Sequence, residues 1–218
     1  MNLFQEYEPN KKGRDFVVSD IHGCYTDLQN ELDRLSFDAV NDRLFSVGDL
    51  ADRGPESKTA LEFIKNPWFY PVLGNHEEMF IQCWIERNEP IEWHCHNGGD
   101  WARELSFSER KDYETSLSKL PLIIRIGKVL ICHSLLPRQK IETIIANIER
   151  LREFIIWQRD ESFFGGPDGF ITYAGHTIHS EITQYGNVLD IDTGAFLKYW
   201  PGRSGKLTIV EITNEETK

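Results

Sequence analysis

Three short segments decide the fold: DFVVSDIHG at residues 15–23, RLFSVGDLADRG at 43–54 and FYPVLGNHE at 69–77. Each opens on a run of strand-forming apolar residues and closes on polar side chains beside a glycine. Asp15–Asp20, Arg43–Asp49 and Phe69–Asn75 therefore read as buried strands. Pro71 marks the third as an edge strand or a bulge. Helices are predicted between and after them. Leu28, Leu32 and Leu35 recur at i, i+4 and i+7, with Thr26 as the expected N-cap. Glu56–Lys65 is a second helix, stopped by Asn66-Pro67, and Glu77–Arg87 a third. Asp20 and Asp49 lie 29 residues apart, and Asp49 and Asn75 lie 26 apart, close to the roughly 30 residues of a βαβ unit. The expected N-terminal half is thus βαβαβ with parallel strands and right-handed crossovers.

Outward from this core the pattern changes. Glu92–Gly99 (EWHCHNGG) reads as a loop, and helices are expected near Trp101–Leu105 and over Ser108–Leu120. Leu122–Ile126 and Val129–Cys132 form a predicted hairpin about Gly127-Lys128. Lys140–Glu153 carries Ile141, Ile144, Ile145, Ile148 and Leu151 on one helical stripe, read as core. The C-terminal half is strand-rich: Phe170–Ala174, Glu181–Tyr185, Val188–Ile191, Ala195–Tyr199 and Leu207–Ile212, with a turn at Gly186-Asn187. No repeat or linker interrupts the chain, so one domain over 1–218 is expected, with 1–14 and 214–218 as loosely ordered tails.

The 218 residues carry 24 Lys+Arg against 35 Asp+Glu, a net charge of −11. That balance, without a basic block, argues against nucleic-acid and anionic-membrane partners. A hydrophobic fraction of 40% suffices for a core and excludes global disorder. No run approaches the ~18 apolar residues of a membrane helix. Four scattered cysteines do not make a disulfide scaffold, and the opening MNLFQEYEPNKKGR has no apolar core of a signal peptide. A reducing, cytoplasmic setting is expected.

In a parallel sheet, loops after neighbouring strand ends share one rim. Asp20 and His22, then Asp49, Asp52 and Arg53, then Asn75 and His76 should converge there. Strand Val129–Cys132 ends in His133, and Phe170–Ala174 ends in Gly175-His176, so the theme recurs. Carboxylates, imidazoles and an amide together suit Mn, Fe, Co or catalytic Zn. Six such ligands are too many for one ion that also binds water. They fit two ions sharing a carboxylate. Trp93-His94-Cys95-His96 lacks the spacing of a second metal site and is expected as a loop at the site mouth. His179 reads as an ordinary polar loop residue, and Cys132 as a buried apolar one.

DIHG, GDLADRG and GNHE in that order, a strand-ending His133, GHT at 175–177, Trp157-Gln158-Arg159 and Ile191-Asp192-Thr193-Gly194-Ala195 resemble the metal-dependent phosphoprotein phosphatases. These are calcineurin-like metallophosphoesterases, and the chain looks most like the phage-lambda-type and bacterial serine/threonine phosphatases. The resemblance spans roughly Phe16 to Thr193. It implies an α/β fold, a β-sandwich of two mixed sheets flanked by helices. It implies Asp20 and His22 on a first ion, Asp49 bridging, and Asn75, His133 and His176 on a second. It makes His76 the general acid, oriented by Asp52, with Arg53 and Arg159 as the phosphate clamp. Two divalent ions follow as cofactors, most readily Mn, with Fe, Zn, Co or Ni as alternatives.

The implied reaction is in-line attack of metal-bound hydroxide on the phosphate of a phosphoserine, phosphothreonine or phosphotyrosine protein, releasing inorganic phosphate. The physics agrees: two arginines can each fork onto phosphate oxygens, and a poor alkoxide leaving group needs an acid. The chain departs from the family at Ser19 (glycine is usual), at Ser134-Leu135 (Gly-Gly in the eukaryotic enzymes) and at Gln158 (asparagine is usual). The alternatives are a symmetrical dinucleoside tetraphosphatase, in which another residue tends to replace Asp52 and Asp follows GNH, and a catalytically silent binding module.

Overall fold

The computed structural model describes residues 2–160 and 165–213. In chain order its strands and α-helices are β1 (Phe4–Tyr7), β2 (Asp15–Val18), α1 (Tyr25–Arg34), β3 (Arg43–Ser46), α2 (Ala60–Phe63), β4 (Phe69–Pro71), α3 (Asn75–Phe80), α4 (Ile91–His94) and α5 (Phe107–Leu117). They continue with β5 (Ile123–Ile126), β6 (Val129–Cys132), α6 (Ile141–Ala146), α7 (Arg152–Trp157), β7 (Ile171–Ala174), β8 (Thr183–Tyr185), β9 (Val188–Asp190) and β10 (Ile209–Ile212).

Two mixed sheets result, ordered β1-β5-β6-β7-β9-β8 and β10-β2-β3-β4. β2, β3 and β4 are parallel, as the βαβαβ spacing predicts, and β4 with Pro71 is an edge strand. Between the sheets, Val17, Phe45, Val47 and Val72 pack with Ile124, Ile126, Val129, Ile131, Tyr173 and Ile191. The alternate residues Phe16, Val18, Leu44, Leu130 and Cys132 belong to the other core cluster, with Leu28 and Leu32 of α1. Both faces of these strands are therefore covered. That is why their sequences are continuously apolar rather than alternating.

Several expectations are corrected. Of the expected tail 1–14, the described residues 2–14 are not loose: β1 pairs in parallel with β5, and the Tyr7 ring packs edge-on to Phe45 and Tyr70. Residues 214–218 lie outside the described residues. Thr26 does not cap α1. The cap position is Cys24, and the Glu56 carboxylate accepts from both the Thr26 N–H (2.7 Å) and its hydroxyl (2.6 Å). The stripe helix splits into α6 and α7, because the Asn147 amide bonds back to the Thr143 carbonyl and competes with the helical ladder. Ala195–Tyr199 is a 3₁₀ turn, not a strand. It starts from Gly194 at φ 69°, whose N–H donates to Asp192. Residues 91–99 are helical, with Gly98 at φ 100° as the break, so the expected loop is not there.

Two crossed ion pairs set the start of the parallel pair. Arg43 forks onto Asp15 (2.7 and 2.7 Å), and Arg14 reaches the buried Asp42 (2.6 Å). Asp42 also accepts backbone N–H bonds from Arg14 and Asp38. Burial pushes the Asp42 pKa up, and these bonds outweigh it, leaving the value below the ordinary one. Its contribution is therefore present above the unfolded pKa of about 3.9 and is lost as pH falls through the lower folded value. Asp42→Asn should destabilise the protein by about 1 kcal/mol near neutrality. In urea melts the gap to wild type should close below about pH 3.9. A gap that stays constant in acid would contradict this assignment.

Candidate active site

The carboxyl ends of β2, β3, β4, β6 and β7 meet on one rim. His22, Asp49 and His176 follow three of these strands with left-handed φ of 44°, 51° and 72°, and Asp52 and Arg53 follow at 73° and 68°. Each such non-glycine residue costs about 1–3 kcal/mol, so the surrounding contacts must hold it. They are visible. The N–H groups of Ile21 and His22 both donate to the Asp49 carbonyl (3.0 and 2.8 Å), which laces the first loop to the second. The Glu77 carboxylate, in the first turn of α3, accepts from Asp49, Leu50 and Gly74 N–H (2.9, 2.8 and 3.0 Å) and laces the second to the third. Gly175 permits the last approach, since a Cβ there would overlap Asp20 Oδ1.

Three histidines are held by backbone carbonyls. His22 Nδ1 lies 2.9 Å from the Ala51 oxygen, His133 Nδ1 2.8 Å from the Val47 oxygen, and His176 Nε2 3.3 Å from the Trp157 oxygen. A carbonyl only accepts, so in each ring that nitrogen carries the proton. The other nitrogen then offers a lone pair to the rim. Burial lowers all three pKa values: His22 well below its ordinary value, His133 below it and His176 to about 2. The rings are neutral.

His133 Nε2, His176 Nδ1 and Asn75 Oδ1 consequently form a triangle of acceptors 2.8, 3.1 and 3.0 Å apart. The Asn75 oxygen faces the rings, so no proton lies between these atoms. A cation satisfies them. Cis ligands on a six-coordinate ion with bonds of about 2.1 Å stand about 3.0 Å apart.

Asp49 joins this triangle to a second group. Its Oδ1 lies 3.4 Å from His133 Nε2, and its Oδ2 lies 3.4 Å from His22 Nε2 and 3.8 Å from His76 Nε2. One carboxylate thus presents one oxygen to each set. Among the described residues, His22–Asp49–His76 and Asp49–His133–His176 are the groups able to hold an ion. Asp20 is buried beside them and accepts the His176 N–H on both oxygens (3.2 Å each). Burial, Asp192 and Asp49 push its pKa well up. Burial likewise raises Asp192 to about 6 and Asp190 to about 9, the latter 3.1 Å from His179. A cation beside these crowded buried carboxylates would offset the cost of ionising them. The residues fit two divalent ions.

His76 stands apart. Its Nδ1 is 2.6 Å from Asp52 Oδ2, and its Nε2 is one of three buried side-chain polar atoms without a hydrogen-bond partner among the described residues. Arg53 Nη1 reaches His22 Nε2 (2.8 Å) with its guanidinium over the Phe196 ring, and Arg159 donates to the His176 carbonyl (2.6 Å). Both arginines line a cleft of about 610 Å³ that also meets Asn97, Phe196, Trp200 and Arg203. All ten residues singled out in the sequence therefore lie at one locus.

Sequence reasoning missed Glu77 and His94. Glu77 left a signal, an acidic residue three positions after the helix-capping Gly74. His94 is wholly buried and 2.8 Å from Asp52 Oδ2. Nothing in the spacing of EWHCHNGG marks it.

Comparison with known proteins gives a family match. Residues 16–193 match the calcineurin-like phosphoesterase family. Serine/threonine-protein phosphatase 2 of Escherichia coli (strain K12) is 36% identical over 213 residues, covering 90% of this chain and 92% of its own. A symmetrical bis(5'-nucleosyl)-tetraphosphatase of Methylococcus capsulatus is 32% identical over 126 residues, covering 56% of this chain and 43% of its own. A solved protein serine/threonine phosphatase from Saccharomyces cerevisiae shares the fold with TM-score 0.61 at 19% identity, over 97% of this chain and 84% of the other.

Asp49→Asn replaces one of the two opposed oxygens by an N–H₂ donor. Elemental analysis should show two divalent ions per wild-type chain loaded with Mn²⁺ and none in the variant. Retention of a single ion would mean that the carboxylate serves only one set.

Proposed function

The chain belongs to the calcineurin-like phosphoesterase family, and from that premise we propose that it is a dimetal-dependent phosphatase of phosphoserine and phosphothreonine proteins. The observation that carries the reading is the Asp52–His76 pair at 2.6 Å, with His76 Nε2 aimed, unpartnered, toward Asp49. With Nδ1–H bonded to Asp52, the imidazolium form of His76 carries its second proton on Nε2, and that proton passes to a departing oxygen, leaving the neutral ring with Nδ1–H on Asp52. An alkoxide leaves poorly and needs that proton. A nucleoside diphosphate leaves readily and needs it less. In sequence, the serine/threonine-protein phosphatase aligns over 90% of this chain and the tetraphosphatase over 56%, which supports the same choice; a solved putative diadenosine tetraphosphatase shares the fold over 98% of this chain at TM-score 0.66 and 24% identity, a likeness of fold alone.

In this reading Arg53 and Arg159 bind the phosphate, each guanidinium forking onto its oxygens. Asp20, His22 and Asp49 hold one ion; Asp49, Asn75, His133 and His176 hold the other. When bound, the ions supply Lewis-acid charge and an activated water. The mixed N/O donors suit Mn, Fe, Co or catalytic Zn, and the resemblance to the family puts Mn first among them. Asp52 keeps its own proton off: burial would raise its pKa, but bonds from His76 and His94 hold it below the carboxylate range. All four cysteines are free, which supports a reducing, cytoplasmic setting. Among the described residues no helix is long and apolar enough to cross a membrane.

With Mn²⁺, phosphoserine and phosphothreonine peptides should be hydrolysed in preference to dinucleoside polyphosphates; the reverse preference would overturn the substrate assignment. His76→Asn should lower kcat on a phosphoserine peptide by about 10²–10³ while elemental analysis shows an unchanged metal content. Metal loss in that variant would remove the general-acid role.

A further inference from the structure

Asp52 is bonded by more than His76. Trp101 Nε1 donates to its Oδ1 (2.6 Å), and His94 Nε2 lies 2.8 Å from its Oδ2, the same oxygen that His76 uses. The far side of the His94 ring settles its proton. Trp84 Nε1 is 2.8 Å from His94 Nδ1. An indole N–H only donates, so His94 Nδ1 is the acceptor. The proton of the neutral ring is then on Nε2, pointing at Asp52. Both lone pairs of Oδ2 are occupied, and the third donor fixes Oδ1, so the carboxylate cannot rotate. The cage is closed by packing: Phe80 lies edge-on to His94 and stacked on Trp101, and a Cβ on Gly99 would overlap the His94 ring. His94 touches none of the residues proposed to hold metal.

We propose that His94 is a positioning residue for leaving-group protonation: Trp84 locks its tautomer, and its Nε2–H holds Asp52 so that His76 Nε2 faces the departing oxygen. The proposal rests on the assignment of His76 as general acid. It also assigns the EWHCHNGG segment a function, as the element that carries this donor in from α4.

The test is a series of aryl phosphates of rising leaving-group pKa, plus a phosphoserine peptide, assayed with Mn²⁺. Wild type is compared with His94→Leu, His94→Gln, His94→Asn and His76→Asn. The Gln amide nitrogen can reach the position of Nε2; the Asn side chain ends at the position of Nδ1. His94→Leu and His94→Asn should lose about 10²-fold in kcat on the peptide. They should change little on dinitrophenyl phosphate, with KM and metal content unaltered. His94→Gln should recover most of the loss. His76→Asn should show the same leaving-group dependence more steeply.

If His76→Asn shows that dependence and the His94 variants lose both substrate classes equally, or neither, the positioning role is overturned and the acid assignment stands. If His76→Asn itself shows no dependence, the acid assignment fails and the proposal fails with it. Independently of activity and of metal, the ¹⁵N spectrum of histidine-labelled protein should place the His94 proton on Nε2. A proton on Nδ1 would overturn the lock.

Discussion

Three lone-pair acceptors stand within 3.1 Å of one another at the centre of this molecule, and the tautomers of the two rings put no proton between them. Each imidazole is fixed from behind by a main-chain carbonyl, so neither can relieve the contact by moving its proton. Within the chain, Arg159 approaches one corner, His176 Nδ1, at 3.3 Å; a cation from outside the chain would satisfy all three. Asp49 doubles the demand, because its second oxygen faces His22 on the other side. The arrangement makes sense as a dinuclear site with one shared carboxylate. The strained backbone at His22, Asp49 and His176 follows from presenting these atoms to one point.

The scaffold is built to hold that strain. β2, β3, β6 and β7 are apolar on both faces and pack in two directions, so the strand ends have little freedom. Glu77 ties the turn after β3 to the head of α3 with three backbone bonds, and the Asp49 carbonyl ties in the loop after β2. Asp52 and Arg53 also have positive φ, yet they serve another task. Asp52 leaves that turn to meet His94 and Trp101, with Trp84 behind His94, while Arg53 turns to His22 and the Phe196 ring. The proposed metal donors cluster at strand ends, while the donors that brace Asp52 come from helical segments after β4.

Much of this was legible in the sequence, for identifiable reasons. Apolar runs of strand length ending in Asp, His or Asn beside glycine gave β2, β3, β4, β6 and β7, and the rim followed from parallel topology. The same logic brought nine of the expected site residues to one locus; Arg159, which follows α7, came only from the family resemblance. What was hidden depended on long-range partners. Glu56 replaces Thr26 at the head of α1 from 30 residues away, Gly194 turns an apparent strand into a 3₁₀ turn, and Asn147 breaks a helix whose periodicity continues through it. His94 was the largest omission. Its meaning lies in Asp52, 42 residues earlier, and in an indole ten residues before it, and no local pattern encodes either contact.

The shared carboxylate is tested most directly by anomalous scattering from crystals grown with Mn²⁺. Two peaks are expected, one on either side of Asp49: the first against His22 and Oδ2, the second against Asn75, His133, His176 and Oδ1. A single peak, or two peaks of which one does not touch Asp49, would contradict the account.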